Sequence, residues 1–323
     1  MSDTIPTLHI EADSIPQAHY RAMKAVLERG MEIRTQYDKR DAAGRYLDPA
    51  SRDAAVLVCV KDPFAQPRYP VASCCEIGAY IAEILGVKDH LVVPFARLKK
   101  ELSSGAHLSA KEWPYTYHQR LFSYPLADGT IVDQIATMVE RLAESLITRR
   151  AVATTRVPEI DCFLKDDQPC LGEVQLRCTE QDGAVYLHMN TRWRSRDLFK
   201  AWGDNVVGLT FMQQALARQL GRRLQREVRV GSYTDFSFSL HVYGQDIKAG
   251  GSMGLNAGQY VAMGEEAVVK RAMASDTAKE LLVLPQLEEL LTPAKIAEWS
   301  FGENQVAQIK GLIEDINAGR LMA

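Results

Sequence analysis

The chain has 323 residues, of which 46% are hydrophobic and 24% charged, the balance of an ordinary globular protein with a large core. The net charge of -3 gives no bulk attraction to nucleic acid or to anionic membranes, so we expect neither as a partner. An anionic ligand must therefore be held by a local cluster of basic groups.

The cysteine content predicts a reducing compartment. Six cysteines are few for this length, and the absence of a CxxC pair argues against a disulfide framework. The polar amino terminus does not resemble a signal peptide, and no apolar run approaches the ~20 residues that span a bilayer. We therefore expect a cytoplasmic protein. The cysteines are Cys59, Cys74, Cys75, Cys162, Cys170 and Cys178.

The first half of the chain alternates between helical and strand-like segments. Residues 14–30 have helical apolar spacing, and 53–60 form a buried strand. Helical spacing returns at 74–86. We expect 89–130 to be irregular, because aromatic residues crowd there between prolines, a composition that often builds a site.

The second half combines helices with a hairpin, which favours a mixed sheet with helices packed on it. The predicted elements are an amphipathic helix at 131–147, a strand after Arg149-Arg150, strands at 170–178 and 184–190 joined by a turn at 181–183, a helix at 205–221 closed by Gly221, an alternating strand region at 227–243, and a mostly helical tail from about 275.

The segment "RWRSRD", residues 192–197, is the strongest basic cluster. On a strand or its exit, Arg192, Arg194 and Arg196 are expected to face one way. Several guanidinium groups beside the Ser195 hydroxyl suit a phosphate, although a solvated basic edge is the simpler interpretation.

Other residues are ambiguous when taken singly. Arg149 and Arg150 fit a helix end, where the macrodipole favours cations. His241 fits a core histidine, and Tyr243 fits a strand aromatic. Cys170 follows a proline, and this pair alone does not distinguish a nucleophile from a small buried hydrophobe.

Taken in order, these motifs resemble the thymidylate synthase superfamily, which includes the pyrimidine nucleotide 5-hydroxymethylases. The resemblance is firm over 113–245, looser over 15–112, and does not extend to the tail. Its motifs are Asp133-Gln134-Ile135, Arg149-Arg150, Pro169-Cys170, Gln175, Arg194-Ser195-x-Asp197, Asn205 and His241-x-Tyr243.

The resemblance implies an α+β fold. A mixed sheet flanked by helices is expected, with dimerisation through that sheet. It also implies a single domain over residues 1–323, with a variable helical tail from about 275.

The resemblance further implies covalent catalysis by Cys170. In the family, a cysteine thiolate adds to C6 of a pyrimidine nucleotide, so that C5 can attack the one-carbon unit of 5,10-methylenetetrahydrofolate. A free thiol has a pKa of about 8.5, and positive charge from Arg194 is expected to favour the thiolate. The other five cysteines match no motif.

The same resemblance implies a substrate-binding set. Arg194 and Ser195 correspond to phosphate ligands, and Asp197 belongs to the same motif. Arg149 and Arg150 correspond to a pair that reaches the phosphate of the partner subunit in a homodimer.

The remaining implied ligands contact the sugar, the base and the phosphate. His241 and Tyr243 correspond to the groups that hold a ribose hydroxyl, and Asn205 to the residue that reads the base. Arg34 loosely resembles a loop arginine that closes on the phosphate. An Asn side chain has one donor and one acceptor, so Asn205 leaves cytosine and uracil open. The sequence also does not distinguish a ribose from a deoxyribose substrate.

Two further residues are implied in proton transfer. Glu76 is the expected general acid/base, on a helix whose apolar face is expected to raise its pKa by desolvation, and Glu83 is its rival. Tyr117 resembles the family tyrosine that helps to remove the C5 proton.

Departures from the common thymidylate synthases indicate the branch. Leu171 replaces the histidine that follows the nucleophile, Asp204 precedes the base reader, and the tail ends "AGRLMA". Because these changes lie where folate and water meet, we favour hydroxymethylation of CMP, as in the CMP hydroxymethylases of nucleoside-antibiotic biosynthesis. Reductive methylation of dUMP is the alternative, and a non-catalytic nucleotide- or RNA-binding relative is a third. Without HxH, HExxH or GxGxxG motifs, we expect no metal and no dinucleotide.

Overall fold

The structure is a computed structural model that describes residues 4–73, 76–105, 108–165, 168–248 and 254–321. Cys74 and Cys75 lie outside the described residues. By compactness the chain divides into a first unit (Met1–Cys75, Arg192–Val207, Ser232–Ala278) and a second unit (Glu76–Thr191, Gly208–Gly231, Lys279–Ala323). The single-domain expectation stays a prediction.

The described elements are ten strands and fourteen α-helices. The strands are β1 (Thr7–Ala12), β2 (Met31–Ile33), β3 (Ser51–Val60), β4 (Tyr124–Pro125), β5 (Ile131–Val132), β6 (Val152–Thr154), β7 (Leu171–Gln181), β8 (Ala184–Trp193), β9 (Arg196–Asp197) and β10 (Val228–Val242). The helices are α1 (Ile15–Arg29), α2 (Ile77–Ile84), α3 (Phe95–Ser103), α4 (Tyr117–Phe122), α5 (Gln134–Glu144), α6 (Pro158–Asp161), α7 (Ala201–Leu224), α8 (Gly244–Lys248), α9 (Ala257–Ala262), α10 (Glu265–Arg271), α11 (Ser275–Ala278), α12 (Leu284–Leu290), α13 (Pro293–Trp299) and α14 (Glu303–Asn317), with a 3₁₀ turn at Asp89–Leu91 and a π-helix at Lys279–Val283.

The first unit is built around β3. Strand β1 pairs with β3 in parallel, whereas β2 and β10 pair with it antiparallel. The helix α1 packs on β1 and β3 through a buried face that includes Ala18, Met23 and Val26. Parallel and antiparallel pairs together confirm the predicted mixed sheet with flanking helices. The short strand β9 pairs with the end of β10 and places Asp197 beside His241.

The second unit contains the hairpin expected from the sequence. Strand β6 pairs antiparallel with β7, and β7 neighbours β8. The hairpin turn has Asp182 at φ 51° and Gly183 at φ 79°, the positive angles of a type I′ turn. The helix α5 packs against β6 and β7 and begins where the Asp133 carboxylate accepts the N–H of Ala136 at 2.8 Å. Strand β7 begins directly after Cys170.

The prediction for residues 89–130 and the predicted end of the helix at Gly221 are wrong. The segment 89–130 is not irregular, because it contains α3 and α4. The Thr116 hydroxyl accepts the N–H of Gln119 at 2.9 Å and so caps α4, a signal hidden among the aromatic residues. Gly221 does not end its helix, since α7 continues to Leu224. None of the described helices combines the length and apolarity needed to cross a membrane.

The fully buried His19 gives the first unit a pH-dependent stability. Its Nε2 donates to the Leu198 carbonyl at 3.0 Å, and its Nδ1 accepts from the Tyr260 hydroxyl at 2.8 Å, so both nitrogens are used in the neutral form. Burial lowers the pKa of His19 from 6.5 to about 4. Because the unfolded chain then binds the extra proton, this contribution is complete above pH 6.5 and falls as the pH drops towards about 4.

We therefore predict that unfolding free energy decreases by about 3 kcal/mol more in the native protein than in His19→Gln over that pH range. Urea unfolding at a series of pH values measures this difference. Parallel pH curves for the two proteins would contradict the prediction.

Candidate active site

Cys170 and Tyr117 lie close together in the second unit. The half-buried Sγ of Cys170 is 3.9 Å from the carbonyl oxygen of Gln168. The next residue, Leu171, is fully buried and begins β7. Its N–H donates to the hydroxyl oxygen of Tyr117 at 3.3 Å. The structure thus brings the phenol expected to assist proton removal beside the backbone that carries the expected nucleophile.

A buried ion pair that sequence reasoning missed anchors Tyr117. Arg120, three residues further along α4, donates to the Asp161 carboxylate at 2.9 Å, and their side chains are only 1% and 0% exposed. Asp161 also accepts the N–H of Val157 at 2.6 Å. The pair joins α4 to α6, the element that leads towards Cys170. No local pattern signals it, because the partners are 41 positions apart.

The other described cysteines are free thiols in different surroundings. Burial, together with the nearby negative charge of Glu180, raises the pKa of Cys178 to about 11, which makes it a poor source of thiolate. Cys59 is half-buried on β3, and Cys162 is exposed. Of these four, Cys170 is the cysteine whose neighbour binds Tyr117.

The two candidate glutamates of the α2 region differ in their surroundings. Glu76 is exposed and directly precedes α2, so the expected desolvation on an apolar helix face is not found. Glu83 lies within α2, and its carboxylate is 3.0 Å from the Nζ of Lys88. That ammonium lies 5.2 Å from the ring centroid of Trp113 and 4.5 Å from that of Trp299.

Arg149 and Arg150 are exposed in the loop before β6. Their interpretation as a helix end is wrong, because α5 already ends at Glu144. The loop is held through its backbone: Arg141 donates to the carbonyl of Arg150 at 2.8 Å, and Gln175 donates to that of Arg149 at 3.4 Å. Within the described part of the chain, neither guanidinium has an ion-pair partner.

The basic segment lies in the first unit, and its three arginines do not face one way. Arg192 and Arg194 are exposed, whereas Arg196 is buried, with its guanidinium 2.5 Å from the Asp235 carboxylate. The expected alternation fails because β8 ends at Trp193 and a new strand begins at Arg196. Arg194 therefore stays at the surface, next to the half-buried Ser195.

Asp197 and His241 are neighbours across β9 and β10. The Asp197 carboxylate accepts the N–H groups of Phe199 and Lys200 at 2.9 and 3.0 Å, and burial raises its pKa to about 6. Burial also lowers the pKa of His241, which favours the neutral imidazole. The described residues offer no partner to its buried Nε2.

The hydrogen bonds around His241 fix its tautomer. Its Nδ1 is 3.2 Å from the hydroxyl oxygen of Ser239, and that hydroxyl donates to the Asp53 carboxylate at 2.9 Å. Since the Ser239 proton is directed at Asp53, Nδ1 must donate, and Nε2 is left as an acceptor. The ring also lies 4.5 Å from that of Tyr243, centroid to centroid.

Tyr243 lines a cavity of about 280 Å³ in the first unit, together with the loop that follows Arg34. Asp38 and Asp48 also line this cavity. Arg34 donates to the Asp38 carboxylate at 3.2 Å and to the Asp48 carbonyl at 2.9 Å, so this loop is braced from within. The structure thus gathers the Arg34 loop and Tyr243 around one space. Asn205 is buried on α7, with 9% exposure.

A larger cavity of about 750 Å³ lies in the second unit, between α3 and the turn that joins β4 to β5. Phe95, Leu98 and Ile160 contribute to a mainly apolar lining, and Arg120 also lines it. Neither Cys170 nor Tyr117 belongs to the lining. Among the residues that the structure describes, no cluster of His, Cys, Asp and Glu could hold a metal ion.

Curated relatives of the chain share one description, "Putative thymidylate synthase". The protein of Methanococcoides burtonii is 33% identical over 239 residues, which cover 73% of this chain and 90% of the relative. That of Methanosarcina acetivorans is 30% identical over 240 residues, with the same coverage of 73% and 90%. A Methanocaldococcus jannaschii protein is 36% identical over 139 residues, 42% of this chain and 58% of the relative.

No protein-family model matches the chain. Among solved structures, thermostable thymidylate synthase A from Bacillus subtilis superposes with a TM-score of 0.48 and 19% identity, covering 72% of this chain and 80% of its own.

Proposed function

Since the chain belongs to the thymidylate synthase family, we propose that it is a one-carbon transferase that hydroxymethylates C5 of a pyrimidine nucleoside 5′-monophosphate, with CMP as the favoured substrate. The observation that carries the proposal is the hydrogen bond from Leu171 to Tyr117, which sets a phenol beside the candidate nucleophile. The names of the relatives favour the second candidate, reductive methylation of dUMP.

In the proposed reaction, the Cys170 thiolate forms a bond to C6 of the pyrimidine, and the displaced ring electrons make C5 a nucleophile. After C5 has gained its one-carbon substituent, the Tyr117 hydroxyl assists removal of the C5 proton. Loss of this proton, with tetrahydrofolate as the leaving group on the one-carbon unit, gives an exocyclic methylene. Water then adds to this methylene and gives up a proton, and the sulfur leaves C6 as the ring double bond is restored. Leu171 follows Cys170 with an apolar side chain, so no second acid or base lies directly after the sulfur in the chain.

Methylenetetrahydrofolate, when bound, supplies the one-carbon unit. The half-buried rings of Tyr115 and Tyr117 have centroids 5.8 Å apart and planes tilted by 41°, and aromatic faces of this kind are suited to stacking against a planar ring. We propose these two residues as its contacts. The cavity of about 750 Å³ is less suitable, because Cys170 does not line it.

We propose Glu76 rather than Glu83 as the general acid/base. Glu83 is held in an ion pair with Lys88, and the two tryptophan rings beside that ammonium keep it in place. A carboxylate held against a cation in this way is not free to turn towards a substrate. Glu76 is exposed before α2 and is therefore accessible to substrate and water.

His241 and Tyr243 are proposed to hold the ribose. The buried Nε2 of His241 is left as an acceptor, and a buried polar atom without a partner is costly. A sugar hydroxyl that donates to Nε2 would remove this cost. Tyr243 opens onto the adjacent cavity of about 280 Å³. Asn205 is proposed to read the base. An assay with CMP, dCMP, UMP and dUMP distinguishes cytosine from uracil and ribose from deoxyribose.

Arg194, Ser195 and Asp197 form the proposed phosphate-side set, with Arg34 closing from its loop. Arg149 and Arg150 are proposed to reach the phosphate of the partner in a homodimer. This role is supported by the exposure of both side chains on a loop whose backbone is held by hydrogen bonds. Sedimentation of the purified protein tests the dimer.

The proposed function is tested by product analysis. The protein is incubated with methylenetetrahydrofolate and with CMP, dCMP, UMP or dUMP, and the nucleotide is weighed. We expect a hydroxymethyl group on CMP together with tetrahydrofolate. A methyl group together with dihydrofolate would establish the synthase alternative, and no product with any nucleotide would overturn both.

Replacing Arg194 with alanine should weaken CMP binding about 10- to 100-fold, since a charged hydrogen-bonding partner contributes roughly 1.5–3 kcal/mol. Isothermal titration calorimetry measures the change. Arg192→Ala is the matched control, because Arg192 is another exposed arginine two positions away, and we expect it to leave the affinity unchanged. Equal losses in both variants would mean that the segment supplies only general positive charge.

A further inference from the structure

A residue of the C-terminal helix α12 caps α2, the helix that follows Glu76. The N–H of Gly78 donates to the Oε1 of Gln286, on α12, at 2.7 Å. Gly78 is the second residue of α2, where a helix has no internal acceptor for its N–H groups. Glu76 occupies the N-cap position, but its side chain makes no capping hydrogen bond. Gln286, although 208 positions away in the sequence, thus caps α2 in place of a local capping side chain.

The contact between α2 and α12 depends on a glycine. A Cβ atom at Gly78 would lie 2.7 Å from the Cβ of Gln286 and 2.7 Å from the carbonyl oxygen of Val283. Val283 is buried and ends the π-helix directly before α12. Any larger residue at position 78 would therefore push the two helices apart. The contact thus needs both the glycine at position 78 and the glutamine at position 286.

A second C-terminal residue acts on the other glutamate. The Trp299 ring lies against the Lys88 ammonium that pairs with Glu83. The carbonyl oxygen of Trp299 also accepts a hydrogen bond from the Nε2 of His90 at 2.9 Å. Both contacts fix Trp299 over the residues that follow α2 and thereby hold the Lys88 ammonium at Glu83.

We propose that the C-terminal helices assign the two glutamates their roles. Gln286 is a positioning residue that sets Glu76 at the start of α2, and Trp299 helps Lys88 to keep Glu83 in an ion pair. The inference rests on the proposed function, in which Glu76 is the general acid/base. The C-terminal helices are then part of the catalytic apparatus, although the motifs of the family do not extend to them.

The test compares two substitutions of similar size at one position. Gln286→Met keeps the length of the side chain but puts a methyl group where the Oε1 accepts the N–H of Gly78, whereas Gln286→Glu keeps an oxygen acceptor there. We expect Gln286→Met to lower kcat about tenfold, the scale on which misplaced groups slow enzymes, with KM for CMP unchanged. Gln286→Glu should recover most of the loss. The measured reaction is release of deuterium from C5 of labelled CMP.

Controls separate positioning from stability. Gln308→Met, at an exposed glutamine of α14, should leave kcat unchanged. Gly78→Ala disrupts the same contact from the other side and should reproduce the loss in kcat if Gln286→Met does not fold. Full kcat in a folded variant that lacks the contact would overturn the inference while leaving the proposed function intact. A native protein that releases no deuterium would overturn the proposed function, and this inference with it.

Discussion

Replacing Cys170 with alanine should abolish the release of deuterium from C5 of labelled CMP. The ring carbon becomes acidic only while sulfur is bonded to C6, so no other group in the chain can replace the thiolate. In other enzymes, loss of a covalent nucleophile lowers the reaction rate by roughly 10³-fold or more. We expect the exchange rate to fall by at least that factor. The measurement is the rate of deuterium appearance in solvent water.

Cys162→Ala is the matched control for this experiment. Cys162 is the exposed cysteine among those described, so it is the thiol most accessible to a soluble nucleotide. We expect its removal to leave exchange unchanged. Exchange that persists in Cys170→Ala would remove this sulfur from the mechanism, and loss of exchange in Cys162→Ala alone would transfer the role to Cys162.

The largest expected effect on stability comes from Arg120→Met. This change leaves the Asp161 carboxylate buried without its cation, with the N–H of Val157 as its remaining hydrogen bond. Removing one partner of a buried pair typically costs about 3–5 kcal/mol, because the other charge stays desolvated. We expect a loss of unfolding free energy of that size, measured by urea denaturation.

Two comparisons test the cause of that loss. Adding Asp161→Asn to Arg120→Met removes the stranded charge and should restore part of the stability. Lys99→Met breaks an exposed ion pair with Glu159, and we expect a change below about 1 kcal/mol. If Arg120→Met were no more destabilising than Lys99→Met, the Arg120–Asp161 pair would not anchor α4.

Elements with a local signal were predictable from the sequence. The hairpin at 181–183 follows from an Asp-Gly pair between alternating segments, and the structure has the expected turn. The helix α1 ends at Arg29, before Gly30, as its spacing predicts. Failures occur where local signals mislead: Gly221 lies inside α7, and aromatic residues obscured the cap of α4.

Contacts between residues far apart in the sequence could not be predicted from local patterns. Tyr117 and Leu171 are separated by 54 positions, and Gly78 and Gln286 by 208. No spacing rule relates such pairs, so the resemblance to a family supplied the role of Tyr117 and nothing supplied that of Gln286. The proposal of Glu76 over Glu83 also depends on a contact known only from the structure, the ion pair of Glu83 with Lys88.

Trapping the covalent adduct tests the central claim most directly. In 5-fluoro-CMP the fluorine cannot leave C5 as a proton does, so a sulfur bonded to C6 should remain there once the one-carbon unit has been transferred. The protein is incubated with this nucleotide and methylenetetrahydrofolate, digested, and its peptides weighed. We predict that the peptide containing Cys170 carries the nucleotide. An unmodified Cys170 peptide from native protein that turns over CMP, or an adduct on another cysteine, would contradict the account.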